Sequence, residues 1–247
     1  MRSLSYDGSM EFDALNDSQI RANYQHKHVV DHYIKHFKNK LVLDAGCWTG
    51  TLEKEVSSRN WKSDMVGIDL NKDALTVAKK NFPQYQFHQV ELAKPSPQFV
   101  KKYSNKFNTI VFLDVIEHVP PGTEVRILQL FNKLLKPGGH LIVSTMLSHR
   151  YNFIDPAWFL GHRHYSSNHI KNFLESSNFK VKELLEIGNL YWDIDILMLY
   201  IYKHIFRANY KTSNWMYKKI FEGLEPPQKN ATRIYTLSQR PKNKSWL

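Results

Sequence analysis

The chain has 247 residues, 42% of them hydrophobic and 23% charged, and carries a net charge of +11 from 34 basic and 23 acidic residues. That length suits one α/β domain with a decoration, not two full domains, and the composition excludes a disordered or fibrous chain. The excess charge biases the surface toward anionic partners, but the lysines are scattered, with no dense basic block, aromatic-interleaved platform or zinc pattern, so nucleic acid is disfavoured as a partner.

Residues 1–21 are polar and mixed, without a sustained period, and are expected to form a loose N-terminal arm ahead of a domain over 22–247. From 23 to 37, Tyr24, His28, Val29, His32, Tyr33 and His36 recur at helical spacing, a pattern that predicts a helix laid as a lid over a ligand cleft. Leu41 to Ala45 then form an apolar run containing Asp44, followed by a turn from Gly46 to Gly50. A buried parallel strand needs such a run, and glycines just past its end allow the backbone close to a ligand. Cys47, the only cysteine, lies inside this turn, so an internal disulfide is impossible and a reducing compartment is expected.

A second strand is predicted near 64–69, ending at Asp69, 19 residues beyond Gly50. Doubly wound folds place a ribose-binding carboxylate there. The turn reads D-x-G-x-x-x-G, not the G-x-G-x-x-G that cradles a pyrophosphate, which argues against a dinucleotide. Further strands are expected near 85–90, 108–114 and 139–145, with helices near 50–59, 71–81 and 123–136. Asn71 and Thr123 are expected to cap, and Pro137-Gly138-Gly139 to stop the third helix. Ser166 or Ser167 should cap the next helix, with a sixth strand over 179–187 and a last one near 231–240. Alternating strands and helices imply a parallel sheet covered on both faces, with ligands beyond the carboxyl ends of its strands.

Between the last two strands, 188–230 form an insertion rich in aliphatic and aromatic residues, too long for an ordinary connection. Three roles stay open for it. It packs on the sheet or joins a homodimer through 190–222, closes the cavity around a hydrophobic acceptor, or lies in a membrane surface, since apolar residues with nearby lysines suit an interfacial helix. No apolar signal-peptide core or bilayer-length stretch is evident. The expected localisation is cytoplasmic, with peripheral membrane contact as an alternative.

Several segments in order resemble the class I S-adenosylmethionine-dependent methyltransferases, of the small-molecule type found in ubiquinone and secondary-metabolite pathways. They are Asp44-Ala45-Gly46-Cys47-Trp48-Thr49-Gly50, Gly67-Ile68-Asp69-Leu70, Gln89-Val90-Glu91-Leu92, Leu113-Asp114-Val115-Ile116-Glu117-His118, Leu135-Lys136-Pro137-Gly138-Gly139 and His162-Arg163-His164-Tyr165-Ser166. The resemblance implies a Rossmann-like α/β fold: a doubly wound, seven-stranded, mostly parallel sheet with helices on both faces and a helical insertion before the last strand. It implies S-adenosyl-L-methionine as cofactor, held by Asp44, Gly46, Cys47, Gly50, Asp69, Leu70, Glu91, Leu92 and Asp114. Where the family commonly has glycine in the first motif this chain has Trp48, which either packs away from the cofactor or crowds it.

A hydroxyl acceptor needs a base effective near neutral pH, and histidine is best matched. Asp114, Glu117 and His118 after the fourth strand, and His149, His162 and His164 after the fifth, are expected where the acceptor would lie. Glu117, His118 and His164 are the catalytic candidates. In some relatives an acid-x-x-Glu-His segment holds a divalent cation, so Asp114, Glu117 and His118 could do so; the assignment preferred here has no metal. Arg163 either meets an anionic group or shapes the turn. An Asn-Pro-Pro-Tyr type signature is absent after the fourth strand, which counts against an exocyclic-amine acceptor. The expected activity is methyl transfer to a small molecule, at oxygen and with a hydrophobic or lipid-like acceptor. The alternatives are a degenerate fold serving as a binding module, and a protein or RNA methyltransferase.

Overall fold

A computed structural model of the chain describes residues 25–150, 152–154, 158, 161–225 and 228–242. The arm expected over 1–21 lies outside them. A helical stretch over 25–32 turns at Tyr33 into α1 (Ile34–Phe37). There follow β1 (Leu41–Ala45), α2 (Thr51–Ser57), β2 (Asp64–Asp69), α3 (Lys72–Asn81), β3 (Gln86–Gln89), α4 (Pro97–Tyr103), β4 (Phe107–Leu113), α5 (Glu124–Leu134) and β5 (Leu135–Met146). The chain continues with α6 (Ser167–Ser176), β6 (Lys180–Ile187), α7 (Leu190–Ile201), α8 (Asn214–Glu222) and β7 (Arg233–Gln239). The strands form one sheet in the order β3-β2-β1-β4-β5-β7-β6, with β7 antiparallel to both its neighbours. Reversing at β1, the strand order opens a crevice at the carboxyl ends of β1 and β4, where such folds bind ligands.

Side-chain alternation along the strands divides the core. Leu43, Ala45, Ile110, Phe112, Leu141 and Val143 face α4, α5 and α6, meeting Phe99, Ile127, Phe131 and Leu174. Val42, Val111, Ile142, Tyr235 and Leu237 face the opposite way, toward Val29, Phe37, Leu52, Trp192 and Ile220. Both faces of the sheet are therefore sealed, as near-continuous apolar strands require.

Four local expectations need correction. Of the lid expected over 23–37, the described part, 25–37, packs elsewhere: Val29, Val30, Tyr33 and Phe37 are buried against the sheet, while Gln25 reaches the crevice by bonding Asp114. A short helix that was not foreseen, α4, starts at Pro97, its N-cap supplied by Ser96, whose side chain accepts from the Phe99 N–H. The Thr123 hydroxyl makes no cap bond to α5; it donates instead to the Pro120 carbonyl at 2.6 Å. Pro137-Gly138-Gly139 lies within β5, whose pairing with β4 slips between Phe107 and Thr109, so helix α5 ends at Leu134 and passes directly into strand. Asn71 and Ser166 do cap, accepting from Asp73 and Ala74 and from His169 respectively.

The insertion packs on the sheet through Trp192, Ile220 and Leu224. No helix among the described residues is long and apolar enough to cross a membrane.

Candidate functional site

The turn after β1 is built by backbone geometry. Gly46 and Gly50 have φ of 88° and 89°, and a Cβ on Gly46 would lie 2.3 Å from Val115 Cγ2, so conformation and packing both demand glycine there. The Gly46 and Cys47 N–H groups donate to the Ile68 carbonyl at 2.7 and 3.1 Å, tying the turn to the end of β2. Trp48 is half-buried at φ 48°, a conformation that disfavours a side chain, and its N–H donates to Asp69 Oδ2 at 3.0 Å. Asp69 Oδ1 accepts from the Asn71 N–H at 2.8 Å. Asp69 is thus fixed in place, and each carboxylate oxygen keeps a lone pair for a ribose hydroxyl. Leu70 beside it is 64% exposed, an apolar platform of the kind a flat base covers. Glu91 is exposed and Leu92 half-buried just past β3, at the same end of the sheet.

Beneath the turn, Asp44 is buried, and Glu53 in the first turn of α2 is wholly buried. Burial, and then the Asp44 charge, hold the Glu53 carboxyl well above the ordinary range. Burial also lifts Asp44, and Asp69 adds to that rise. The same burial pushes the Cys47 thiol far up, so Cys47 packs and is no nucleophile. Buried carboxyls of this kind, with an exposed apolar platform and a fixed ribose-type acid, fit a nucleoside cofactor that brings positive charge.

The exits of β4 and β5 form the other half of the crevice. Asp114, at φ 51°, accepts from Gln25 Nε2 at 2.9 Å and from Ser144 Oγ at 2.7 Å, which pins it to the sheet. Glu117 is buried and accepts from Thr145 Oγ1 at 2.9 Å; burial, then Asp114, raise its carboxyl to about 8. His118 and His162 approach Nε2 to Nε2 at 3.3 Å, and His162 Nε2 lies 3.9 Å from Glu117 Oε1. One ligand atom from each of Glu117, His118 and His162 fits within 4.8 Å, a set able to take a divalent cation. That set has His162 where the resemblance offered Asp114.

A second imidazole is braced more firmly. His149 Nε2 meets Asp193 Oδ2 at 3.1 Å, and Asp193 Oδ1 accepts from Arg233 at 3.1 Å, with both Asp193 and Arg233 buried. The Arg233 guanidinium also stands 5.0 Å over the Trp192 ring. The His149 N–H donates to Asn152 Oδ1 at 2.8 Å, which fixes the main chain as well. The His164 ring lies 6.3 Å from His149 and 6.0 Å from His162, so the four histidines form a row across the exits of β4 and β5. Arg163 is not turned to a ligand: it donates to the Glu117 and Ile116 carbonyls at 3.1 and 3.0 Å and pairs with Glu124, bracing the loop after β4.

The structure therefore brings the expected cofactor residues to one end of the sheet and joins Glu117 and His118 to His162. It adds Glu53, Gln25, Asp193 and Arg233, which sequence reasoning missed. Glu53 left one signal, an acid between Leu52 and Val56 on the buried face of α2. Asp193 left another, an acid within the apolar run of α7.

Residues 19–184 match the family model described as a methyltransferase domain. A ubiquinone biosynthesis O-methyltransferase of Acinetobacter baylyi is 28% identical over 143 residues, which cover 57% of this chain and 56% of that protein. The match thus spans little more than half the length of this relative. Among solved structures, a SAM-dependent methyltransferase from Archaeoglobus fulgidus superposes with a TM-score of 0.62 at 16% identity, covering 93% of this chain and all of that one (100%). The [4+2]-cyclase SpnF superposes at 0.64 and 16% identity, covering 90% and 81%. At such identities these likenesses speak for the fold alone. With two thirds of its length inside the family model, and with the turn, acids and sheet order described above, the chain belongs to the methyltransferase domain family.

Proposed function

We propose that the chain transfers a methyl group from S-adenosyl-L-methionine to a hydroxyl oxygen of a hydrophobic small molecule, with His149 as the base. The observation that carries the choice of oxygen is the chain Arg233–Asp193–His149. An imidazole oriented by a buried carboxylate, itself held by a buried guanidinium, is built to accept a proton and to bear the resulting charge. Glu117, with its carboxyl raised to about 8, is neutral at pH 7 and serves better as a hydrogen-bond donor than as a base.

The cofactor, when bound, supplies an electrophilic methyl carbon on a positively charged sulfur. Asp69 and Leu70 would hold its ribose and base, and Asp44 and the Gly46–Gly50 turn its methionine half. His149 takes the acceptor's proton as the new oxygen–carbon bond forms, and Asp193 steadies the imidazolium. The row of His164, His162 and His118 lines the acceptor side. A divalent cation on Glu117, His118 and His162 would require Glu117 to lose its proton, and would then polarise an acceptor oxygen beside them.

The insertion supports an apolar acceptor taken from a membrane surface. The turn Tyr202–Phe206 leaves Ile205 71% and Phe206 63% exposed, and Trp215 at the start of α8 is 57% exposed. Lys203, Arg207, Lys211 and Lys218 lie among them in sequence, whereas Asp193 and Asp195 point inward, leaving Glu222 and Glu225 as the exposed acids of this segment. Apolar residues with surplus cations suit an anionic lipid surface. Sedimentation with phosphatidylglycerol vesicles should capture the protein and phosphatidylcholine vesicles should not, with loss on replacing Ile205 and Phe206 by Asp. A concentration-dependent dimer without vesicle binding would assign the face to self-association.

The activity is tested by incubating the protein with methyl-labelled cofactor and a panel of alkylated phenols, catechols and hydroxylated lipids. O-methyl product is expected, falling about 10²- to 10⁴-fold in His149→Ala. Label found on nitrogen, carbon, protein or RNA would overturn the oxygen reading.

A further inference from the structure

Neither carboxylate oxygen of Glu53 meets a donor when ionised, although the side chain is fully buried; its neighbour is the Asp44 carboxyl, which it can bond only while one of the two keeps a proton. Its helix neighbours Leu52 and Val56 are buried apolar residues, and an apolar residue would fill the Glu53 position without any desolvation cost. The described groups that bear on Asp44 and Glu53 are Cys47 in the turn, Asp69 at the end of β2 and Tyr85 ahead of β3; among these described residues none is a cation. Among the described residues these acids have no counter-charge, and they lie under a turn shaped for a ligand. In the empty protein the charge is suppressed by retained protons, as the upward shift of both carboxyls requires.

We propose that Glu53 is a cofactor-binding residue, which with Asp44 holds a proton in the free protein and gives it up to solvent when the cationic methionine half of the cofactor docks. This rests on the cofactor reading above. The carboxylate left behind neutralises the incoming charge, so the site favours the positively charged donor over a neutral ligand of the same shape. By linkage, releasing one proton strengthens binding tenfold for each pH unit gained while the pair remains protonated.

The test is calorimetric titration of the whole protein with S-adenosyl-L-methionine at pH 6, 6.5 and 7, in buffers of different ionisation enthalpy, beside Glu53→Gln. The wild type is expected to release about one proton per cofactor bound, with a matching pH slope in Kd. Glu53→Gln, close in volume, is expected to bind with that release and slope removed, which also subtracts any proton exchanged by the cofactor itself. Binding by the wild type without net proton release would overturn the role of Glu53 while leaving the cofactor site standing, as would equal release from both proteins. No binding by the wild type would overturn the cofactor reading and this inference with it. Should Glu53→Gln fail to fold, Glu53→Met, which suits the apolar neighbourhood of Leu52 and Val56, takes its place, with the same loss of release and slope expected.

Discussion

Asp193 joins three functions in one side chain: it orients His149, neutralises buried Arg233, and docks α7 on the sheet. Asp193→Ala is expected to destabilise the protein by about 3–5 kcal/mol, because Arg233 then stays buried without this carboxylate. Urea unfolding of the single variants and of the double variant with Arg233→Met checks this, and the double variant should recover most of the loss. Asp193→Asn keeps the volume, so it should lower kcat much more than it raises KM and should shift the pH profile of turnover. At this scale the first half of the site was legible. Asp44, Gly46, Gly50 and Asp69 sit at fixed chain spacing, and short-range spacing survives folding. The pairs Asp193–His149 and Asp114–Gln25 join residues 44 and 89 positions apart, and no local pattern reports them.

Among the elements, the strands were the most legible, since fully buried parallel strands must be apolar along their whole length. Helix α4 is only seven residues long, too short for a helical period to show, and it starts at Pro97 in the first helical turn, where the missing N–H costs nothing. The stretch over 25–37 shows what periodicity leaves open. It marks a face as buried but does not name the surface that buries it, here Val42, Val111 and Ile142 of the sheet, not a ligand cleft. Capping is testable at α3: Asn71→Ala should cost about 1 kcal/mol and lower Tm by about 2–4 °C in a thermal melt. The same variant is expected to weaken cofactor binding only slightly, since Asn71 meets Asp69 through its backbone N–H.

For the molecule as a whole, buried groups set opposing pH slopes. Burial, helped by His140, lowers His36 to about 4, so its contribution to stability is lost as pH falls from 6.5 toward 4. Glu117 is raised to about 8, so its contribution is present at low pH and is lost as pH rises from 4.5 through 8. Stability of the free protein should therefore fall from pH 6.5 to 8, by up to about 1.4 kcal/mol per pH unit for each such carboxyl. Chemical denaturation across that range checks the slope, and Glu117→Gln should flatten it. The fold does not decide the reaction, since a [4+2]-cyclase shares it, so the claim to methyl transfer stands on the site. The most direct measurement is calorimetric titration with S-adenosylhomocysteine of the wild type and of Asp69→Ala. The account predicts micromolar binding by the wild type, weakened at least about tenfold in the variant, as loss of a charged hydrogen bond to ribose implies. No heat and no thermal shift with the wild type would contradict it.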